Sequence, residues 1–136
     1  MIKYIFIALI TIQTGLSLAQ TDKTSGGKTR VLFIFDGSNS MNAQWQSSSK
    51  IKVAKNLMKQ TLDSLKGFDN VELALRMYGH QVKIYPGQQD CSDTKLEVPF
   101  APGDENIDRI KTRIRSLDPK GTTPIARSLE YAAGDF

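Results

Sequence analysis

The feature that most constrains this chain is an unbroken apolar run, Val31 to Phe35, which ends directly at the carboxylate of Asp36. A short continuous apolar run is typical of a β-strand that is covered on both faces, as in the interior of a parallel sheet. Such a strand needs neighbours at its edges and helices over its faces, which favours an α/β domain. We therefore predict a strand here, in the middle of a sheet.

The rest of the chain alternates between helix and strand patterns. Apolar residues at spacings of three and four predict helices, whereas alternating or short apolar stretches predict strands. The predicted elements are a helix capped at 47–49 and running to about 66, a strand at 71–78, a long loop at 79–94, a short strand at 95–100, a helix capped by Asp104 and ending before Pro119, and a third helix from Ile125. This order predicts a doubly wound, Rossmann-like sheet that is mostly parallel and flanked by helices.

The two later strands differ in their predicted burial. The strand at 71–78 alternates apolar and polar residues, which predicts one less buried face. The strand at 95–100 contains Pro99, whose missing N–H confines it to an edge or an end of the sheet. Since these patterns supply only one clear neighbour for the first strand, we expect a crossover strand beyond Phe136 and interpret the chain as part of a longer domain.

The amino-terminal segment has the pattern of a signal peptide. Lys3 is followed by an apolar stretch, and Ser17-Leu18-Ala19 resembles a small-x-small cleavage signal. The stretch is too short and too interrupted for a membrane anchor, which needs about 20 apolar residues. We therefore predict a signal peptide at 1–19, a polar linker at 20–29 and a partial domain at 30–136. The mature protein is expected to be periplasmic or extracellular, with no membrane span.

The net charge of the chain is only weak evidence about its binding partner. The formal net charge is +4, and part of it comes from Lys52, Lys55 and Lys59, which follow helical spacing. That spacing is typical of a solvated helix face. Because no aromatic residues are interleaved with these lysines and no nucleic-acid motif is present, we expect no nucleic-acid partner.

Cys91 is the only cysteine of the chain. A single thiol in an exported protein calls for a partner, since the compartment is oxidising. Its neighbours are polar and loop-like, which favours a disulfide to a residue outside this chain segment. A buried free thiol is the alternative.

The loop after the first strand carries a set of oxygen ligands. Asp36, Ser38 and Ser40 alternate with other residues, so one carboxylate and two hydroxyls project from a tight turn. Oxygen ligands of this kind suit Mg²⁺, Mn²⁺ or Ca²⁺ and suit zinc or copper poorly. Two other interpretations stay open: Asp36 and Gly37 could form a hairpin turn, or the serines could only bond the local backbone.

This D-x-S-x-S pattern, together with G-T-T-P at 121–124 about 85 residues later, resembles von Willebrand factor type A (VWA) domains with a metal-ion-dependent adhesion site. The resemblance covers residues 30–136. It implies that Asp36, Ser38, Ser40 and Thr123 hold a divalent cation, with Mg²⁺ the first choice, and that a further aspartate lies beyond the last residue. Thr123 could instead be a helix N-cap, because Pro124 follows it.

The resemblance also implies a function in protein recognition. One carboxylate leaves a divalent cation electron-poor, so a partner protein's Asp or Glu can complete its coordination. We expect an adhesion or scaffold module rather than an enzyme. Two alternatives remain: a metal-free structural interaction domain, and a phosphotransferase with Asp36 as its nucleophile. The latter normally needs a second carboxylate at the position that Ser38 occupies.

Two further residues are candidates for the rim of this site. His80 follows the second predicted strand, whose carboxyl end should lie on the same side as Asp36 in a parallel pair. It could line the rim or have a structural role only. Trp45 follows the serine loop and could contact a partner or cover the core.

Overall fold

The computed structural model describes residues 27–136. The predicted signal peptide and the linker up to residue 26 lie outside the described residues. The elements are β1 (Thr29–Asp36), a 3-10 turn (Asn39–Asn42), β2 (Gln44–Trp45), β3 (Ser48–Ser49), α1 (Lys50–Ser64), β4 (Val71–Tyr78), β5 (Thr94–Pro102), α2 (Gly103–Arg115) and α3 (Ile125–Ala133).

Three strands form the main sheet, in the order β1, β4, β5. β1 and β4 are parallel and in full register, with Thr29 opposite Val71 and Asp36 opposite Tyr78. β5 is antiparallel to β4 and lies at the edge, as predicted from Pro99. The predicted α/β class is confirmed: a sheet with a parallel pair is flanked by helices.

Burial within the sheet differs from the prediction. In the described residues β4 is the central strand, whereas β1, predicted in the middle, lies at one end. The alternation in β4 suggested a less buried face, but Ala74 and Arg76 on that face are 0% and 5% exposed. Arg76 is tolerated there because Asp135, just after α3, accepts two hydrogen bonds of 2.6 Å from its guanidinium.

The main core lies between one face of the sheet and the helices α1 and α2. Its buried members come from the three strands of the sheet, from α1, from α2 and from the loop after α2: Phe35, Ile51, Leu62, Leu73, Leu75, Met77, Val98, Ile107, Ile110, Ile114 and Leu117. Asn106 is fully buried among them and donates to the carbonyls of Leu73 (2.6 Å) and Pro99 (2.7 Å). These two bonds attach α2 to both β4 and β5.

The start of one helix and the burial of another differ from the predictions. α2 begins at Gly103, one residue earlier than its predicted cap, so Asp104 lies in the first turn. There its charge complements the positive end of the helix dipole. α3 begins at Ile125 as predicted, but Ile125 and Leu129 are at least half exposed, while Ala132 is buried.

Within residues 27–136, no helix has the length and apolar character required to cross a bilayer.

Candidate metal-binding site

The candidate site lies where the parallel strands β1 and β4 end. Asp36 is the last residue of β1, and the N–H of Gly37 donates to the carbonyl of Tyr78 at 2.8 Å. A Cβ at Gly37 would lie 2.8 Å from the Cβ of His80. The loop that leaves β1 therefore packs directly on the chain that leaves β4.

The structure brings Asp36, Ser38 and Ser40 together. The backbone N–H of Ser38 donates to Oδ1 of Asp36 at 2.7 Å, and the hydroxyl oxygens of the two serines are 3.0 Å apart. Ser38 is buried, whereas Ser40 is exposed. The chain continues into the 3-10 turn rather than a second strand paired with β1, so the hairpin interpretation of Asp36 and Gly37 is wrong.

A second loop is fixed against the first by backbone hydrogen bonds. The N–H of Asn39 donates to the carbonyl of Gly121 (2.9 Å), and the N–H of Lys120 donates to the carbonyl of Gly37 (3.2 Å). The N–H of Gly121 in turn donates to the carbonyl of Gly79 (2.8 Å). The loop that contains the G-T-T-P sequence is thus joined to both of the strand-end loops.

Thr123 lies two residues beyond this junction. It is exposed, and its carbonyl accepts a hydrogen bond of 2.9 Å from the N–H of Ile125. α3 begins after Pro124, and no side chain caps its first turn. The structure therefore does not support the alternative role of Thr123 as the helix cap.

Asp36 is held by neutral hydrogen-bond donors. Besides the Ser38 N–H, the hydroxyl of Tyr78 bonds its carboxylate, and burial together with that negative charge raises the pKa of Tyr78. Within residues 27–136 no lysine, arginine or histidine forms an ion pair with Asp36. Its negative charge is therefore available to a cation.

The other oxygen atoms of the site are hydroxyls. In the part of the chain that the structure describes, no group of three or more His, Cys, Asp or Glu side chains is arranged to hold a metal. Besides the Asp36 carboxylate, the candidate ligands at this loop are serine and threonine oxygens, which are hard ligands of the kind that suits Mg²⁺.

His80 belongs to a buried charged cluster below the loop. Its Nε2 is 2.8 Å from Oε1 of Glu97, and its Nδ1 is 4.0 Å from Oδ1 of Asp93. Glu97 is also 2.7 Å from Nε of Arg113 and 3.3 Å from Nζ of Lys95. Burial raises the pKa of Glu97, but the contacts with Arg113 and His80 outweigh it and hold that pKa at about 2.

Asp93 and Glu97 were not predicted from the sequence. Asp93 is fully buried and accepts hydrogen bonds from the backbone N–H groups of Gln81 (3.0 Å) and Val82 (3.1 Å), so it shapes the loop after β4. Asp90, three residues earlier, has the same polar surroundings in sequence. No local signal separates the two aspartates, because the burial of Asp93 depends on contacts across the fold.

Trp45 does not cover the core. It is 57% exposed in the small β2 and β3 hairpin, next to the start of α1. The interpretation of Trp45 as core cover is therefore wrong, and the structure leaves its indole exposed one turn after the serine loop.

Cys91 is also exposed, which excludes the buried free thiol; its disulfide to a residue outside this segment stays a prediction.

Comparison with curated proteins finds a relative that is described as uncharacterized. The chain is 29% identical over 132 residues to the uncharacterized protein YwmD of Bacillus subtilis strain 168. That alignment covers 96% of this chain and 56% of YwmD. The chain thus spans little more than half the length of this curated relative. No family model matches the chain.

Solved structures support the fold. The conserved hypothetical protein BatB from Bacteroides thetaiotaomicron superposes with a TM-score of 0.58 at 24% identity, over 79% of this chain and 46% of BatB. The PilB minor pilin from Streptococcus sanguinis gives a TM-score of 0.58 at 20% identity, over 85% of this chain and 28% of PilB. At these identities the likeness establishes the α/β fold, and this chain corresponds to less than half of either protein.

Proposed function

We propose that this chain forms a metal-dependent protein-binding module of an exported protein, of the kind that its resemblance to VWA domains implies. A divalent cation, Mg²⁺ first and otherwise Mn²⁺ or Ca²⁺, would be held by Asp36, Ser38, Ser40 and Thr123. The observation that carries the proposal is the cluster that Asp36, Ser38 and Ser40 form at the end of β1.

The spacing of the serine hydroxyls supports the choice of cation. Two ligands on adjacent corners of a Mg²⁺ octahedron, each about 2.1 Å from the metal, lie about 3 Å apart. The hydroxyl oxygens of Ser38 and Ser40 are 3.0 Å apart. These two ligands would need little rearrangement to bind Mg²⁺.

Charge supports the mode of partner recognition. Asp36 would supply one negative charge and the hydroxyls none, so a bound divalent cation would keep a net positive charge at the surface. An Asp or Glu of a partner protein is the ligand that would neutralise it. Binding of the partner would then require the cation.

The solved neighbours are compatible with an exported module, since PilB is described as a minor pilin and a similar structure as an aerotolerance-related membrane protein. The proposed export of this chain depends on its predicted signal peptide, residues 1–19.

Calorimetric titration with MgCl₂ and MnCl₂ tests the proposal. We expect saturable binding by the unaltered chain and none by Asp36→Asn, which keeps the shape of the side chain but removes its charge. Asp69→Asn is the matched control, because Asp69 is exposed in the turn before β4. Equal affinity of all three proteins would show that the cation binds elsewhere than at Asp36, and no binding by any of them would favour the metal-free interaction domain instead.

A further inference from the structure

A groove of about 230 Å³ lies at the surface between α1 and α2, away from the candidate metal site. Its floor is apolar and is formed by Met58 and Leu62 of α1 and Ile114 of α2. Leu62 and Ile114 are 0% and 3% exposed, so the apolar atoms are recessed. The groove can therefore accept an apolar side chain that projects into it.

Basic side chains surround this floor. Lys59, Lys111 and Arg115 line the groove, and Lys59 and Arg115 are exposed to solvent. Their aliphatic stems add to the apolar wall while the charges stay at the rim. The groove thus combines a hydrophobic base with a positive border.

Asp63 is the carboxylate that pairs with the lysines at this border. Asp63 is 2.9 Å from Nζ of Lys59 and 3.6 Å from Nζ of Lys66, and it also pairs with Lys111. Hydrogen bonds from Lys111 and Lys59 lower the pKa of Asp63, so it is ionised at neutral pH. Three lysines against one aspartate leave an excess of positive charge that anionic groups of a ligand can neutralise.

Two polar links between the helices hold the groove open. At one end Nζ of Lys55 donates to the carbonyls of Arg115 (3.1 Å) and Leu117 (2.8 Å), beyond the last turn of α2. At the other end Lys111 of α2 binds Asp63 of α1. Since both links join the two helices, the groove is formed before any ligand binds, which lowers the cost of binding.

We propose that this groove binds an acidic protein segment in which an apolar residue is flanked by carboxylates. The apolar side chain would occupy the floor, and the flanking Asp or Glu residues would face Lys59, Lys111 and Arg115. A lipid surface fits less well, because insertion into a bilayer needs protruding apolar side chains and those of the floor are recessed. The surface is separate from the proposed metal site and needs no cation.

A fluorescein-labelled peptide of sequence EELLEE provides the test, with fluorescence anisotropy in EDTA at physiological salt. EDTA removes divalent cations, so the peptide carboxylates cannot bind through a metal at Asp36. We expect saturable binding that Lys59→Gln combined with Arg115→Gln weakens about tenfold, from the loss of two charge contacts. The control pair, Lys50→Gln with Lys52→Gln, removes the same charge from α1 outside the groove and should bind normally.

A second peptide distinguishes insertion into the groove from diffuse electrostatic attraction. The peptide EESSEE should bind at least tenfold more weakly, because it lacks the apolar group. Equal binding of EESSEE, or equal loss in both double variants, would show diffuse attraction and overturn the proposal. The proposal would also be overturned if EELLEE did not bind at millimolar concentration. The same holds if the groove variants weakened only the binding of phosphatidylglycerol vesicles. None of these results bears on the metal site, and thermal melts confirm that each variant is folded.

Discussion

Gly79 is the residue at which the three loops of the candidate site meet. Its φ angle is +67°, and a Cβ there would lie 2.8 Å from Cα of Ser38 and would clash with the carbonyl oxygen of Thr122. Backbone atoms cannot move aside as a flexible side chain can. The position therefore requires glycine for two reasons, its left-handed conformation and the lack of space.

We predict that Gly79→Ala destabilises the protein by about 3 kcal/mol or more, as expected when a left-handed conformation and a backbone clash add together. Gly87→Ala is the matched control: its φ is +77°, but nothing lies within 4 Å of its Cβ position. The control should lose only about 1 kcal/mol. Urea denaturation of both variants measures the difference, and similar losses would show that the clash is relieved.

Glu97 should make stability depend on acid pH. Its pKa of about 2 in the folded protein is below the ordinary value of about 4.3, so the unfolded chain binds protons first as the pH falls. The stabilisation, on the order of 3 kcal/mol, is complete above about pH 5 and is lost as the pH falls toward 2. Denaturation curves of Glu97→Gln should have a weaker pH dependence in this interval. An unchanged slope would contradict the prediction.

The closeness of the candidate ligands in the serine loop was predictable, but the contacts that bring the second loop to them were not. Asp36, Ser38 and Ser40 are close in sequence, so their spacing alone predicted a cluster of oxygen atoms. The bond between Asn39 and Gly121 joins residues far apart in the chain. Local patterns carry no information on such pairs, and the G-T-T-P loop was placed near the serines only through the family resemblance.

Among the elements, the long strands and helices were predicted well and the short ones were not. β4 has the predicted bounds, Val71–Tyr78, because eight residues are enough to show a strand pattern. β2 and β3 were missed, since strands of two residues each have no periodicity. The alternation in β4 was interpreted as exposure, yet Arg76 is buried by its ion pair with Asp135, which lies 59 residues later.

The pair of Arg76 and Asp135 links β4 to the residue that follows the end of α3. Both side chains are less than 10% exposed, and Tyr131 lies against the guanidinium. We predict that Asp135→Ala costs about 3 kcal/mol, because Arg76 is left buried without its counter-ion. The double variant Arg76→Met with Asp135→Ala should recover most of this loss, since no unpaired charge remains. Chemical denaturation measures both, and no recovery would indicate that the pair acts through packing alone.

For the molecule as a whole, the candidate site lies at a junction between the first strand and the last helix. Asp36 ends β1, whereas Thr123 precedes α3, and the two loops are joined by backbone hydrogen bonds and by the side chain of Asn42, which donates to the carbonyl of Pro119 at 2.9 Å. A cation bound by both segments would add a further link between β1 and α3. Metal binding and folding stability would then be coupled.

We predict that MgCl₂ raises the melting temperature, because the cation would bind the folded state and not the unfolded chain. A ligand at 100 times its Kd stabilises the folded state by about 2.7 kcal/mol, which shifts the melting temperature of a domain of this size by roughly 10 °C. Thr123→Val keeps the shape of the side chain but lacks the hydroxyl, so it should melt normally without metal and show a smaller shift with it. If Thr123→Val and the unaltered chain shift equally, Thr123 is not a ligand, and the cation is held by the serine loop alone.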